Sequence, residues 1–458
     1  MHCDFRELER KYKKDLERLG EWNYLRNYYR ELFIYNNLKK NTVSGRGFTK
    51  FVNLLKEIRN VFYGFSAWFK KYKYVVFSNN ERRLLKDGTF FDVRVDYLIQ
   101  LLGEDETLLV ETPVNGHKDK KLLPVKNIVS RRLIDVLTIF FEKLWKKNNN
   151  IQLLNKIHKE CKISFDYSRQ INRFKVQYRI YLLWFKLIRP KAIFLVCYYD
   201  KQYLIKAAHE LGIQVIEIQH GIISKNHFAY FSVLKLNQVY LPDYLLSFDT
   251  NLKNENSPEF LFDKEKVFPV GSFYLEYLKT NFKEDKNLKK IIENYNLVIG
   301  VSLQWTVENE LIEFLSRVAR RVQNILFILI PRKWEPQKYK KIRLPSNIIF
   351  YPKLDCYQII LHCNYHCTVY STCALEAPLL GVPNILINLN GLTERYLSYL
   401  FQKKHESCYI VKNEEEFVNL LQYDEQFANK QEYFMGQGVY MNSYKKNLDD
   451  ALHHILNS

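Results

Sequence analysis

The chain has 458 residues, enough for two domains of ordinary size, and its 47% hydrophobic content is that of a globular protein rather than a disordered or fibrous one. A net charge of +19 favours partners of opposite sign. With no RNA- or DNA-binding signature, that points away from nucleic acid and toward an anionic acceptor or an anionic membrane surface. Eight cysteines, scattered without a framework, exclude a disulfide-built fold and suit a reducing cytosol.

The opening residues, MHCDFRELERKYKKDLERLG, are charged and have no apolar signal core. The expected location is cytoplasmic, with any membrane contact peripheral and on the inner face. Residues 1 to 70 read as helices of mixed charge. Within them the run from Phe51 to Tyr74 is amphipathic, aromatic on one side and basic on the other. It suits a helix packed on its own domain or one lying on a membrane surface. From Tyr74 strands and helices alternate. YVVFSN is a strand, Arg82, Arg83, Asp87 and Gly88 a polar turn, Phe91 to Leu102 a helix, and TLLVETP a second strand. Residues 130–190 read as mostly helical. Tyr178 to Tyr199 comes nearest to a membrane span, but Lys186, Arg189, Pro190 and Lys191 break it into a helix and a buried strand, AIFLVCYY. KQYLIKAAHELG is a helix ended by Gly212, followed by the strands IQVIEIQ and YLLSF. Val-, Ile- and Leu-rich strands separated by helices predict a parallel sheet covered on both faces.

After a polar linker near 250–268, containing Pro258, the pattern restarts at Val267 to Gly271. The strands LVIGVSLQ, ILFILIP, NIIFYP, CTVYST and NILINL follow, with helices between. The predicted division is a helical segment at 1–70, an α/β domain at 71–260, a second at 261–435, and a last helix within 436–458. His362, Cys363, His366 and Cys367 cluster but straddle a helix end and a strand start, with no second ligand pair at zinc spacing. Packing is the expected role, and no metal is predicted.

Two stretches carry chemistry. TVYSTCALEAPLLGVPNILI, Thr368 to Ile387, reads as buried strand, Ser-Thr turn, short helix, Gly-Val-Pro break and buried strand. Ser371 and Thr372 are N-cap residues whose helix start would attract phosphate. Glu376, one turn on, is placed to accept hydrogen bonds from a ribose diol. Gly381 ends the helix and Pro383 prevents its continuing. The second stretch, VIEIQHGIISKNHFAY (215–230), brings Gln219, His220 and Gly221 to the carboxyl end of a strand, where open α/β sheets bind ligands. Gly221 suits a sharp turn or close backbone approach. His227 and Tyr230 follow, and imidazoles transfer protons near neutral pH.

The first stretch resembles the donor-nucleotide motif of GT-B glycosyltransferases and of UDP-GlcNAc 2-epimerases. The second, with LPDYLLSF after it, resembles bacterial surface-polysaccharide glycosyltransferases of the capsule and O-antigen type, which carry Gln-His-Gly, then His and Tyr, then Pro-Asp-Tyr. The resemblance spans about residues 75 to 400. It departs at Asp249, where glycine is common, and at Ile330-Pro331-Arg332, where many relatives show His-Pro. It implies an α/β, GT-B-like fold of two Rossmann-like domains facing a cleft, with extra N-terminal helices. It also implies sugar transfer from a nucleotide-sugar donor to a glycan or glycolipid acceptor, as in capsule or lipopolysaccharide synthesis. Ser371, Thr372 and Glu376 would bind the donor, bordered by Ser302 and Gln304, with Arg332 and Lys333 as counter-charges. Gln219, Gly221, His227 and Tyr230 would line the acceptor site. His220 is the first candidate base, with Asp200, Asp96 and Glu111 behind it. No Asp-x-Asp motif precedes a suitable strand, so a metal-independent, inverting reaction without cofactor is expected. The rival expectations are a UDP-sugar 2-epimerase, a CDP-polyol phosphotransferase and a non-catalytic module of a polysaccharide assembly complex.

Overall fold

The computed structural model describes residues 4–38, 59–85, 87–112, 116–145, 147–221, 223–248, 250–397, 408–423 and 443–457. The first part of the amphipathic run from Phe51, and Asp249, lie outside the described residues. The chain divides into two compact units. One holds residues 1–220, 227–273 and 443–458; the other holds 221–226 and 274–442.

The first unit is built on β1 (Tyr74–Ser78), β4 (Thr107–Glu111), β5 (Ile128–Ser130), β6 (Ala192–Val196), β7 (Gln214–Ile218), β8 (Tyr244–Ser247) and β9 (Val267–Pro269). They form one parallel sheet in the order β5-β4-β1-β6-β7-β8-β9. Every residue of β1, β4 and β6 is buried, which is why these strands read as continuous apolar runs rather than alternating ones. On one face Val76, Leu109, Phe194 and Ile216 pack with Val95, Leu98 and Ile99 and with Tyr444, Leu448, Ala451, Leu452 and Ile455 of the last helix, Tyr444–Asn457. On the other, Phe77 meets Tyr181 of the helix Tyr167–Ile188 edge-on at 5.9 Å.

Three sequence expectations are corrected here. Arg82 and Arg83 are not in a turn. They belong to β2 (Arg82–Leu84), which pairs antiparallel with β3 (Phe90–Asp92), leaving Asp87 and Gly88 as the hairpin tip. Because β3 takes Phe91 and Asp92, the following helix is shorter than predicted, Asp96–Leu102. Third, β9 is no start of the second half: Val267 pairs with Leu245 and closes the first sheet. One glycine is required by close approach. Gly64 has φ +72°, and a Cβ there would strike the carbonyl of Ile128.

The N-terminal helices Phe5–Lys11, Lys13–Arg18 and Trp22–Leu38 belong to this unit. The first is capped by Asp4, which accepts from Arg6 N at 2.8 Å and Glu7 N at 3.1 Å. Inside them Arg26, 2% exposed, forms a two-bond ion pair with Glu9, 1% exposed, at 2.9 and 3.0 Å.

The second unit is a six-stranded parallel sheet in the order β12-β11-β10-β13-β14-β15. Its strands are β10 (Leu297–Ser302), β11 (Ile325–Ile330), β12 (Ile348–Phe350), β13 (Tyr365–Thr368), β14 (Asn384–Ile387) and β15 (Cys408–Val411). Val301, Phe327, Leu329, Cys367 and Ile385 pack against Leu311, Leu315 and Val318 of the helix Glu308–Arg321. The His/Cys cluster is dispersed by packing. His362 Nε2 accepts from Asp285 N at 2.8 Å, the Cys363 thiol donates to Ile359 O at 3.1 Å, and Cys367 lies in the core. Among the described residues no group of three His, Cys, Asp or Glu side chains is placed to hold a metal ion. Among the same residues, no helix is long and apolar enough to cross a membrane.

Candidate functional site

Each sheet has one place where the strand order reverses about its first strand, and such switch points open a crevice at the carboxyl edge. In the second unit it lies between β10 and β13. Ser302 ends β10 and Gln304 follows; Thr368 ends β13. Gln304 Nε2 donates to Thr368 Oγ1 at 2.5 Å and to Ser302 O at 3.0 Å, and the Thr368 hydroxyl donates to Ser302 O at 3.0 Å. Below them Ser302 Oγ pairs with His366 Nε2 at 2.9 Å, and His366 Nδ1 with Asn384 Oδ1 at 2.7 Å. Asn384 donates in turn to Ala374 O at 2.6 Å. Burial drives the His366 pKa down to about 4, so this relay runs through a neutral ring. The segment from Thr368 to Glu376 is thereby fixed to both strands. Ser302 and Gln304 are tied to Thr368 and His366, which lead into the segment containing Ser371, Thr372 and Glu376. Arg332 and Lys333 are exposed just past β11, whose Ile330 is in register with Ser302.

The local geometry around Ser371 differs from the N-cap expectation. The helix is one turn, Cys373–Glu376, followed by a 3-10 turn at Pro378–Leu380. Thr372 already has helical φ/ψ and makes no capping bond, while Ser371 Oγ accepts from Cys373 N at 3.3 Å. A single turn has a small dipole, so hydroxyls and backbone N–H groups, rather than a macrodipole, are what this segment offers an anion. Glu376 is 3% exposed.

In the first unit the switch point falls between β1 and β6. The turn after β6 holds Cys197 in a left-handed conformation, φ +65°, unusual for a residue with a side chain. Lys201, 1% exposed, is clamped there. Its Nζ donates to Cys197 O at 3.0 Å and to Asp200 at 2.6 Å, and it reaches Asn79 Oδ1, beyond β1, at 3.4 Å. Next to this turn, at the end of β7, is His220. Its Nε2 lies 3.3 Å from the Tyr199 hydroxyl, and its carbonyl accepts from Arg94 at 3.4 Å. Tyr199 stands between two imidazoles, 5.9 Å from the ring of His220 and 5.7 Å from that of His227. Both are neutral at pH 7. Burial, with the charge of Arg94 adding to it, lowers His220 to about 4; burial, with His220 and Arg30 adding to it, lowers His227 to about 3. The Nδ1 atoms of both rings have no hydrogen-bond partner among the described residues.

Several sequence candidates are corrected by their surroundings. Gln219 does not line a crevice: it is 3% exposed and its Oε1 accepts from Phe248 N at 2.7 Å, tying β7 to the end of β8. Tyr230 is fully buried, its hydroxyl donating to Glu217 at 2.7 Å. Gly221 is not in the left-handed region, and a Cβ there meets nothing within 4 Å, so neither backbone strain nor contact demands glycine. Asp96 and Glu111 are fully buried around Arg82, at 2.9 and 2.6 Å, with His117 at 2.8 Å from Glu111. Burial pushes Asp96 upward, reinforced by nearby Asp92 and opposed by Arg82. Such carboxylates hold Arg82 and the hairpin in place, so none is an exposed base. Asp200 is half-exposed. Its partial burial works upward, but Lys201 and Arg131 together hold its carboxyl below the usual range.

Sequence reasoning did not single out Tyr199, Lys201 or Glu217, which lie at or near the turns after β6 and β7. The run Cys197-Tyr-Tyr-Asp-Lys201 at a strand end was the available signal. Glu217 gives no such signal, sitting among apolar strand residues. It is fully buried, accepts from Tyr198 N at 3.1 Å and from Tyr230, and burial raises it to about 8 from an ordinary 4.5. The stabilising contribution of this neutral acid is complete below pH 4.5 and is lost as pH rises through 8. Glu217→Gln keeps an acceptor for both donors and cannot ionise. In urea unfolding, the variant should gain on the wild type as pH rises from 4.5 to 9, by about 2–4 kcal/mol at the alkaline end. A difference independent of pH would mean that Glu217 is ionised in the fold.

No protein-family model and no curated protein matches the chain. Solved structures do. An enzyme assigned as a UDP-N-acetylglucosamine 2-epimerase from Listeria monocytogenes superposes with TM-score 0.53 at 12% identity, over 85% of this chain and 98% of that one. The S. aureus MnaA–UDP co-structure gives TM-score 0.51 at 11% identity, over 84% and 96%. The calicheamicin glycosyltransferase CalG4 gives 0.49 at 10%, over 84% and 99%.

Proposed function

We propose that this chain, whose two parallel sheets share a GT-B-like fold with a solved 2-epimerase structure, transfers a sugar from a nucleotide-sugar donor to a growing bacterial surface glycan, of capsule or lipopolysaccharide type, by an inverting reaction. The second unit holds the nucleotide: Ser302, Gln304, Ser371 and Thr372 border the phosphates, Glu376 takes the ribose diol, and Arg332 and Lys333 offset the charge of the departing diphosphate. His220 of the first unit, a neutral imidazole, takes the proton of the acceptor hydroxyl. The observation that carries this reading is the hydrogen-bonded relay Ser302–His366–Asn384–Ala374. It spends buried polar side chains on fixing one short turn at the switch point of the second sheet.

A thermal-shift series with UDP, GDP, CMP and CDP tests it, because a ligand that binds only the folded chain raises the unfolding midpoint. One nucleotide should stabilise. Glu376→Ala should weaken that nucleotide about 10–100-fold, read as the affinity of the folded variant, because removing a buried side chain also lowers the unliganded midpoint. Unchanged affinity removes the ribose role, and no response to any nucleotide favours a non-catalytic module.

A second reading is a UDP-sugar 2-epimerase, the activity assigned to a solved structure of the same fold. Incubation with a UDP-sugar alone separates the two. An epimerase turns over without acceptor; a transferase gives at most slow hydrolysis.

A further inference from the structure

The outer face of the helix Arg132–Leu144 is apolar where a surface helix is normally polar. Val136, Ile139, Phe140 and Leu144 recur at the spacing of one helical face and are 48%, 50%, 57% and 70% exposed, with Ile134 and Thr138 on the buried side. The helix Tyr167–Ile188 packs beside it and shows the same inversion. Leu183 and Leu187 point outward at 69% and 52%, while Trp184, Phe185 and Ile188 face the core. A third segment joins them. Trp184 Nε1 donates to Trp68 O at 3.0 Å, and around Trp68 the rings of Phe62, Phe65 and Phe69 form an exposed edge-to-face row at 5.6 and 5.4 Å. That row leads into β5, whose Ser130 N donates to Tyr63 O at 3.1 Å, and β5 runs straight into the helix at 132. Scattered exposed apolar residues need no account, but neighbouring ones on three segments do.

The charge around this face is mostly positive. Lys70, Lys71, Lys143, Lys186, Arg189 and Lys191 are exposed on the same segments, while the acids there, Asp135 and Glu142, are each in ion pairs with arginines. Arg179 lies over the Trp145 ring at 3.5 Å. It also lines a cavity of about 300 Å³ with Lys175, Lys206, the rings of Tyr24, Tyr178 and Tyr240, and one acid, Glu21. Apolar side chains ringed by cations, beside a basic and aromatic hollow, match the layered chemistry of a bilayer surface: acyl chains beneath anionic headgroups.

We infer that this face docks the protein on an anionic lipid bilayer, with the apolar side chains entering the headgroup layer and the lysines and arginines on lipid phosphates. The inference stands whether or not the sugar-transfer reading holds. The full chain should cosediment with phosphatidylcholine vesicles containing about 30 mol% phosphatidylglycerol, bind pure phosphatidylcholine far less, and lose binding as salt is raised. The triple variant Ile139→Ser, Phe140→Ser, Leu183→Ser alters only exposed positions. It should unfold at the wild-type midpoint and bind the anionic vesicles about 10²-fold more weakly. Absence of wild-type binding would overturn the inference, as would a variant that binds equally well. So would a wild type that self-associates through this face, shown by a dimer in sedimentation velocity that the variant abolishes while lipid binding is unchanged.

Discussion

Replacing Glu9 with alanine is expected to cost about 3–5 kcal/mol of stability, one of the two largest effects the structure implies. The carboxylate is 1% exposed and answers a guanidinium 2% exposed, so its removal strands a buried cation. Arg26 also donates to the carbonyl of Phe228, and Asn27, next to it, donates to Tyr199 O at 2.5 Å and Gln202 Oε1 at 3.0 Å. The N-terminal helices therefore brace the two turns that carry Tyr199 and His227. The double variant Glu9→Met, Arg26→Met removes both charges and leaves apolar volume, and should be far milder than Glu9→Ala. Chemical unfolding of the three proteins checks this. A double variant as damaged as the single one would show that the lost hydrogen bonds, from Trp22 to Glu9 and from Arg26 to Phe228, outweigh the stranded charge.

The second large effect is on rate. His220→Ala should lower turnover about 10²–10⁴-fold while leaving nucleotide affinity near the wild-type value. The ring is neutral over the physiological range because its pKa is lowered to about 4, so it is available as a proton acceptor without first losing a proton. The sign of the pH dependence follows. Activity should be flat near neutrality and fall only as pH drops toward 4, where an unperturbed histidine would give an acid limb near 6.5. Near-normal turnover in the variant, or a limb at 6.5, would remove His220 as the base.

Most strands were legible because a parallel sheet buried on both faces leaves an unbroken apolar signature, as in Ala192–Val196 and Ile325–Ile330. What escaped lacks such a signature. The β2–β3 hairpin is polar, and Arg82 is inside it only because Asp96 and Glu111, distant in sequence, converge there. β9 looked like a beginning because a polar stretch precedes it, and no local pattern reveals which sheet edge a three-residue strand will join. Among the candidate residues, the placement of His220 just past a strand and the strand–turn–helix order of Thr368–Glu376 were legible from residue type and position. Gln219 and Tyr230 were legible as conspicuous residues, but not as buried ones satisfied by Phe248 N and Glu217. Glu217 itself was invisible, since a carboxyl neutralised by burial leaves no mark in the sequence.

The first unit is discontinuous in the chain. Its core needs Leu448, Leu452 and Ile455 against Val95 and Leu98, yet the helix carrying them is synthesised only after all of residues 274–442. During translation, the Val95–Leu102 surface must wait, uncovered, for the ribosome to finish a whole intervening body. Local helices and the long-range closure therefore mature at different times, and the interval between them is the natural opening for a chaperone or a protease.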